Sequence, residues 1–283
     1  MFIYFRKAFL FLLKFIILLT LLLNILFFAF QKSLIYFPGK EMSSFPSGYN
    51  LEYKDIYLNA PGFVLHGWEV PNPQKRAYLL YFSGNAGNIS KRTEVFRLFF
   101  DAGFHVFAFD YPGYGMSTGK PSIKSIRSAL GCIDAYMKEN ISRDDLLFVH
   151  GFSLGGAVGV LYCSKYEADA LILESTFTSL DDMARHHYPF LAVSIINREG
   201  YNTRALLPKI EIPRLILHAV FDEVVPYEMG KKLYHSCKEN CLYADIQADH
   251  NSGILKDRES YKKALEALFD SLLETGKKNM EKF

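Results

Sequence analysis

The distribution of apolar positions divides the chain into three stretches. From Ala8 to Phe30 almost every residue is apolar, interrupted by Lys14, Thr20 and Asn24. As one helix, about 23 residues at ~1.5 Å each span ~34 Å, enough to cross a hydrocarbon core of ~30 Å. Gln31 to Asn50 then reads as a short connector carrying Pro38, Pro46, Gly39 and Gly48. From Leu51 onward, short apolar runs alternate with longer helical patterns until a lysine-rich polar tail at 277–283.

Within that third stretch, Leu51–Leu58 and Phe63–Val70 predict an antiparallel strand pair around the turn Asn59-Ala60-Pro61-Gly62. Tyr78–Phe82, His105–Phe109, Leu146–His150, Ala170–Leu173 and Arg214–His218 are continuous apolar runs, the mark of strands buried on both faces, and Leu242–Ile246 reads as a last strand. Helical patterns cover Ser122–Glu139, Ala157–Lys165 and Tyr261–Leu273. In the last of these, Leu265, Leu268, Phe269 and Leu272 form one stripe facing the sheet. Strands alternating with helices imply an α/β class, with a mostly parallel central sheet flanked by helices and right-handed crossovers. The expected organisation is 1–30 tail and anchor, 31–50 connector, 51–276 catalytic domain and 277–283 tail.

Composition modifies this picture only locally. Half of the 283 residues are hydrophobic and the net charge is +2, and the excess of Phe is explained by the N-terminal run. No basic run interleaved with aromatics occurs outside the tail, so nothing argues for nucleic acid. The candidate signal-cleavage region Phe28-Ala29-Phe30-Gln31 lacks small residues at the spacing that cleavage needs, which favours an uncleaved anchor. Arg6, Lys7 and Lys14 outweigh Lys32 near the apolar run, so the positive-inside rule leaves the N-terminus cytoplasmic and the larger domain extracytoplasmic, periplasmic or lumenal. Of four cysteines, Cys132 and Cys163 read as core residues, while Cys237 and Cys241 are close enough for a local bridge in an oxidising compartment. With His235 they lack the second ligand pair that a metal site needs.

The chemistry concentrates at Gly151-Phe152-Ser153-Leu154-Gly155-Gly156, where a buried strand meets a helix. That context makes Gly-x-Ser-x-Gly a nucleophile elbow rather than a chance string: the glycines permit a tight turn, and the helix start favours developing negative charge on the reacting atoms. A serine hydroxyl needs a base, and the base an orienting acid, in chain order Ser, Asp, His on loops after later strands. Asp222 lies in the loop after Arg214–His218, with Glu223 the neighbouring alternative. Of the eight histidines, His66, His105, His150 and His218 fall in or at the ends of strands. His186 and His187 precede the acid, and His235 lies in a helix. His250 alone follows the last strand. Oxyanion donors are expected from the amide of Leu154 and from the loop Ser83-Gly84-Asn85-Ala86-Gly87-Asn88, with Asn85 N–H as the donor.

Phe82–Asn88, Asp110-Tyr111-Pro112-Gly113-Tyr114-Gly115-Met116-Ser117, the Ser153 elbow, Glu174-Ser175-Thr176-Phe177-Thr178-Ser179, the Asp222 loop and the His250 loop stand together in one order. The chain thereby resembles the α/β hydrolases of the serine aminopeptidase and monoacylglycerol-lipase-like group, and especially single-pass, membrane-anchored members of the bud-emergence type. The resemblance covers roughly residues 30 to 275 and the anchor. It implies the α/β-hydrolase fold, a Ser153–Asp222–His250 triad and no metal or organic cofactor. Two positions depart from it. Ser83 stands where the group usually has histidine, and Phe152 where close relatives often have arginine.

The segment 176–208, rich in Tyr188, Pro189, Phe190, Leu191, Val193, Ile195 and Ile196, is either a lid or one more crossover packed on the sheet. An intact triad beside an anchor and an apolar segment points to an esterase, thioesterase or lipase-like enzyme. Its substrate would be a small-molecule ester or acyl lipid at a membrane held by the N-terminal helix. A peptidase is the alternative within the group, and a non-catalytic membrane-tethered scaffold the alternative outside it.

Overall fold

With no glycine or proline to break it, Phe2–Ile35 forms one helix, α1, in the computed structural model, which describes residues 2–237 and 239–280. Among the described residues it is the one helix long and apolar enough to cross a membrane. It runs beyond the expected boundary at residue 30 and into the connector. β1 (Phe37–Pro38) leads to a 3₁₀ turn at Pro46–Tyr49, and Tyr36 and Leu51 are buried.

The expected hairpin forms from β2 (Lys54–Ala60) and β3 (Phe63–Val70), with Gly62 at φ +88° in the turn. There follow β4 (Ala77–Phe82), β5 (Ala86–Gly87), α2 (Thr93–Asp101), β6 (Phe104–Phe109) and α3 (Ile123–Asn140). Ser122 caps α3, its hydroxyl accepting from the Ser125 amide. Next come β7 (Leu147–Phe152), α4 (Leu154–Cys163) and β8 (Ala170–Glu174). Three short helices, α5 (Leu180–His187), α6 (Val193–Ile196) and α7 (Thr203–Leu206), fill the segment before β9 (Arg214–Ala219). The chain closes with α8 (Tyr227–Ser236), β10 (Cys241–Ile246), α9 (Gly253–Lys256) and α10 (Arg258–Met280). α10 thus takes in 277–280 of the expected tail, whose last residues, 281–283, lie outside the described residues.

The eight-stranded sheet has the order β10-β9-β8-β7-β4-β6-β3-β2. All neighbours are parallel except β2 with β3 and β3 with β6. The period-2 pleat sorts β4 cleanly: Tyr78, Leu80 and Phe82 join the core beneath α3, α4 and α8, and Leu79 and Tyr81 the core beneath α2 and α10. Burial on both faces accounts for the unbroken apolar runs.

The strand histidines are all bonded. His66 Nε2 meets Asp55 Oδ1 at 2.8 Å, His105 Nε2 meets Glu69 Oε1 at 3.0 Å, His150 Nε2 meets the Tyr261 hydroxyl at 2.8 Å, and His218 Nε2 meets the Val225 carbonyl at 3.2 Å. Cys237 and Cys241 sit where α8 gives way to β10, their sulfurs 2.6 Å apart and both thiols free.

The segment 176–208 divides between its two readings. α5 and α6 pack on each other and α6 on α1, whereas α7 packs on α4 and α8 as an ordinary return to the sheet. The side chain of Ile195 lies outside the described residues.

Phe104 is fully buried, its ring 5.9 Å from Phe99, 5.4 Å from Phe148 and 5.6 Å from Phe269. Phe104→Ala opens a cavity beneath α2 and α10, and chemical unfolding in detergent should show a loss of about 3–5 kcal/mol. A loss under about 1 kcal/mol would contradict this packing.

Candidate active site

Ser153 occupies the step between β7 and α4 with φ 54° and ψ −118°, a left-handed conformation that a side chain normally avoids. Three glycines make the step possible. A Cβ on Gly151 would strike the Gly155 carbonyl, one on Gly155 the Phe82 carbonyl, and one on Gly156 the Thr176 side chain. The turn is then pinned: Ser153 N–H donates to the Glu174 carbonyl at 2.8 Å, and the Thr176 hydroxyl donates to the Ser153 carbonyl at 2.6 Å.

The two loops beyond β9 and β10 bring the predicted acid and base to this serine. His250 Nε2 lies 3.1 Å from Ser153 Oγ, and His250 Nδ1 lies 2.7 Å from Asp222 Oδ2. Asp222 Oδ1 accepts from the amides of Val224 and Val225 at 2.9 and 2.7 Å. Burial alone would push the Asp222 carboxyl up, but the His250 bond and these two amides outweigh it and hold the carboxyl below the usual carboxylate range. Glu223 goes elsewhere: its carboxylate accepts the His250 backbone N–H at 3.2 Å, so it braces the main chain of His250 rather than its ring. With Nδ1 facing a carboxylate, the tautomer that carries the proton on Nδ1 leaves Nε2 free to accept from Ser153 Oγ.

Leu154 and Asn85 both border the serine's cavity. Among the described residues neither backbone N–H donates to a protein acceptor, while the carbonyl and Nδ2 of Asn85 are engaged. Its carbonyl accepts from Phe37 N–H at 2.9 Å and from the Tyr114 hydroxyl at 2.7 Å, and its Nδ2 donates to the Ile35 carbonyl at 3.0 Å. Tyr111 does the same for the Ser83 carbonyl at 2.6 Å. The Asp110–Ser117 motif is therefore a brace for the Asn85 loop. Ser83 Oγ, in the position of the usual histidine, is buried without a partner among the described residues. Phe152 lies against the His250 ring with centroids 5.0 Å apart, and the Arg92 guanidinium is 4.3 Å from the Phe152 ring centre.

Sequence reasoning missed the support behind the turn. Glu174, His150 and Tyr261 form a buried cluster, with the Tyr261 hydroxyl donating to Glu174 Oε2 at 3.0 Å and His150 Nε2 3.1 Å from that oxygen. Burial alone would raise the Glu174 carboxyl, and these bonds outweigh it and lower it. A Cβ on Gly253, at the start of α9, would run into Glu174 Oε1. The string Glu174-Ser175-Thr176 was the available signal, visible as a motif without a role. Among the described residues no group of three or more His, Cys, Asp or Glu is arranged to hold a metal ion.

A family description, serine aminopeptidase S33, matches residues 73–199. Protein bem46 of Schizosaccharomyces pombe is 34% identical over 249 residues, covering 81% of this chain and 83% of its own. The α/β hydrolase domain-containing protein WAV2 of Arabidopsis thaliana is 36% identical, covering 73% and 75%. The mouse lysophosphatidylserine lipase ABHD12 is 34% identical over 68% of this chain and 53% of its own. Among solved structures, the esterase Pf2001 of Pyrococcus furiosus superposes with a TM-score of 0.69 at 21% identity, covering 83% and 98%.

Because the Gly155 Cβ would meet backbone rather than a movable side chain, Gly155→Ala must displace either the serine turn or β4. We expect it to cost about 1–3 kcal/mol and to abolish labelling of Ser153 by a fluorophosphonate probe. Unchanged Tm with full labelling would contradict this geometry.

Proposed function

The chain belongs to the α/β-hydrolase superfamily, in the group that contains bem46 and WAV2, and we propose that it is a membrane-anchored serine hydrolase cleaving ester or thioester bonds of acylated, lipid-like substrates. The observation that carries this reading is the continuous Asp222–His250–Ser153 chain of contacts ending beside an apolar cavity. In this mechanism Ser153 Oγ attacks the acyl carbonyl while His250 Nε2 takes its proton. The amides of Leu154 and Asn85 hold the negative charge of the tetrahedral intermediate. His250 then returns the proton to the departing alcohol or thiol, and water repeats the sequence to release the acid. Asp222 stays ionised and holds the imidazole in the tautomer that can accept.

The anchor and topology belong to the same proposal. α1 crosses the bilayer with Arg6, Lys7 and Lys14 on the cytoplasmic side, leaving the catalytic domain outside the cytoplasm. Membrane attachment suits a substrate concentrated in the bilayer.

Fluorophosphonate labelling tests the nucleophile. Wild type should label and Ser153→Ala should not, with ester turnover down at least about 10⁴-fold; equal labelling of both would sink the assignment. Parallel assays on p-nitrophenyl esters and aminoacyl p-nitroanilides separate an esterase from a peptidase, and esters alone should turn over.

The pH profile tests the base. Only neutral imidazole accepts the serine proton, so kcat/KM should fall on acidification, ordinary imidazoles protonating at about pH 6.5. Asp222 is held below the usual carboxylate range, so it remains ionised across that window and the acid limb should report one proton. A limb two protons steep, or a rate unchanged between about pH 8 and 5, would contradict these roles.

A further inference from the structure

Two cavities meet at Ser153, and charged side chains line only one of them. One, of about 640 Å³, presents Ser43, Ser44, Lys91, Arg92, Glu94 and Asn251. The other, of about 290 Å³, has Leu180, Met183 and Tyr188 on one side and Phe27, Leu34 and Ile35 of α1 on the other. The apolar cavity is thus closed on one side by the helix that reads as the membrane anchor.

That contact is built. Asn24 Oδ1, inside the apolar run, accepts the Ala192 amide at 2.8 Å, and Phe27 meets Tyr188 edge-on at 5.7 Å. The buried Gln31 amide donates to the Ile196 carbonyl at 3.2 Å and accepts from Arg198 N–H at 2.8 Å. The Arg198 guanidinium lies 3.7 Å from the Phe28 ring centre. One turn on, the Tyr36 hydroxyl donates to Glu199 at 2.6 Å, and the Ile35 carbonyl receives the Asn85 side chain. The segment around α5 and α6 is therefore docked along the outer end of the apolar run, with Tyr188 and Phe190 exposed at its tip.

Resting on the hydrolase reading above, we propose that the anchoring helix forms one wall of the acyl site, and that a lipid's acyl chain reaches Ser153 between α1 and α5 directly from the bilayer. The leaving side of the substrate then faces the other cavity, where Lys91 and Arg92 supply positive charge. Each methylene that had to cross water would cost about fourfold in concentration, so a path that stays apolar favours long chains over short ones.

The test uses the full chain in phosphatidylcholine vesicles and a long-chain alkyl fluorophosphonate with a diazirine at the far end of the chain. Ser153 Oγ displaces fluoride at phosphorus, its proton passing to His250, and irradiation then crosslinks the chain end to its neighbours. Adducts are expected in Phe27–Ile35 and Leu180–Tyr188. Phosphonylation with adducts only around Ser43–Ser44 and Lys91–Glu94 would overturn this inference and leave the hydrolase reading standing. Absence of phosphonylation would overturn both. Leu34→Trp fills the same space from α1 and Ala184→Trp from α5. Either should lower the decanoate-to-acetate ratio of kcat/KM at least about tenfold, read in whichever variant still labels with a short fluorophosphonate. An unchanged ratio counts against the α1 wall.

Discussion

The structure depends on the left-handed turn at Ser153, which cannot exist unless its surroundings hold it. A residue at φ 54° stores roughly 1–3 kcal/mol of strain, and β7, β8, α4 and the Thr176 hydroxyl share the restraint. Glu174 links these elements: its carbonyl takes the Ser153 amide, while its carboxylate meets Tyr261 on α10 and His150 on β7. The core beneath α2 and α10 is thereby tied to the position of one hydroxyl at the end of β7. A buried carboxylate would be costly without those partners, and with them it acts as a rigid strut.

The same economy governs the adjacent acids. Asp222 and Glu223 have similar chemistry and neighbouring positions, yet the bend after β9 sends one carboxylate to the imidazole and the other to the backbone amide of the same histidine. The Val224 and Val225 amides stabilise the charge on Asp222, and His218 Nε2 stands 3.6 Å away on its other side. Burial lowers the His218 pKa despite that carboxylate. His218 therefore stays neutral beside Asp222 and does not draw its charge away from His250.

Much of this was legible in the sequence because it depended on spacing. Continuous apolar runs marked the parallel strands, and glycine around Ser153 between a strand and a helix marked the turn. Position after the last strand singled out His250. Contacts between distant segments were not legible. Loop position favoured Asp222 over Glu223, but the bend of the backbone that parts their carboxylates was not legible. Glu174 and Tyr261 are 87 positions apart, and Tyr111 and Tyr114 read as motif tyrosines without revealing that they fix the Asn85 loop. The segment 176–208 admitted two readings because its two halves do different things, α6 leaning on α1 and α7 on α4 and α8.

The apolar run itself shows how far context alters a reading. As sequence, Thr20 and Asn24 are blemishes in a hydrophobic stretch and Gln31 is its polar end. A helix needed only as a tether gains nothing from an asparagine within it, because a side-chain amide in hydrocarbon must find partners or pay for their absence. Here Asn24 Nδ2 bonds the Thr20 carbonyl one turn back, and its oxygen takes an amide from the segment beside the Ser153 cavity. A little further along, Gln31 makes two hydrogen bonds to the same segment, donating to the Ile196 carbonyl and accepting from Arg198 N–H. These polar atoms fix the rotation of α1 about its own axis, and with it the face that Phe27 and Leu34 turn toward Ser153. A helix held in a single rotation is a structural part of the hydrolase domain, and the geometry of the site extends into the segment that composition alone assigns to the membrane.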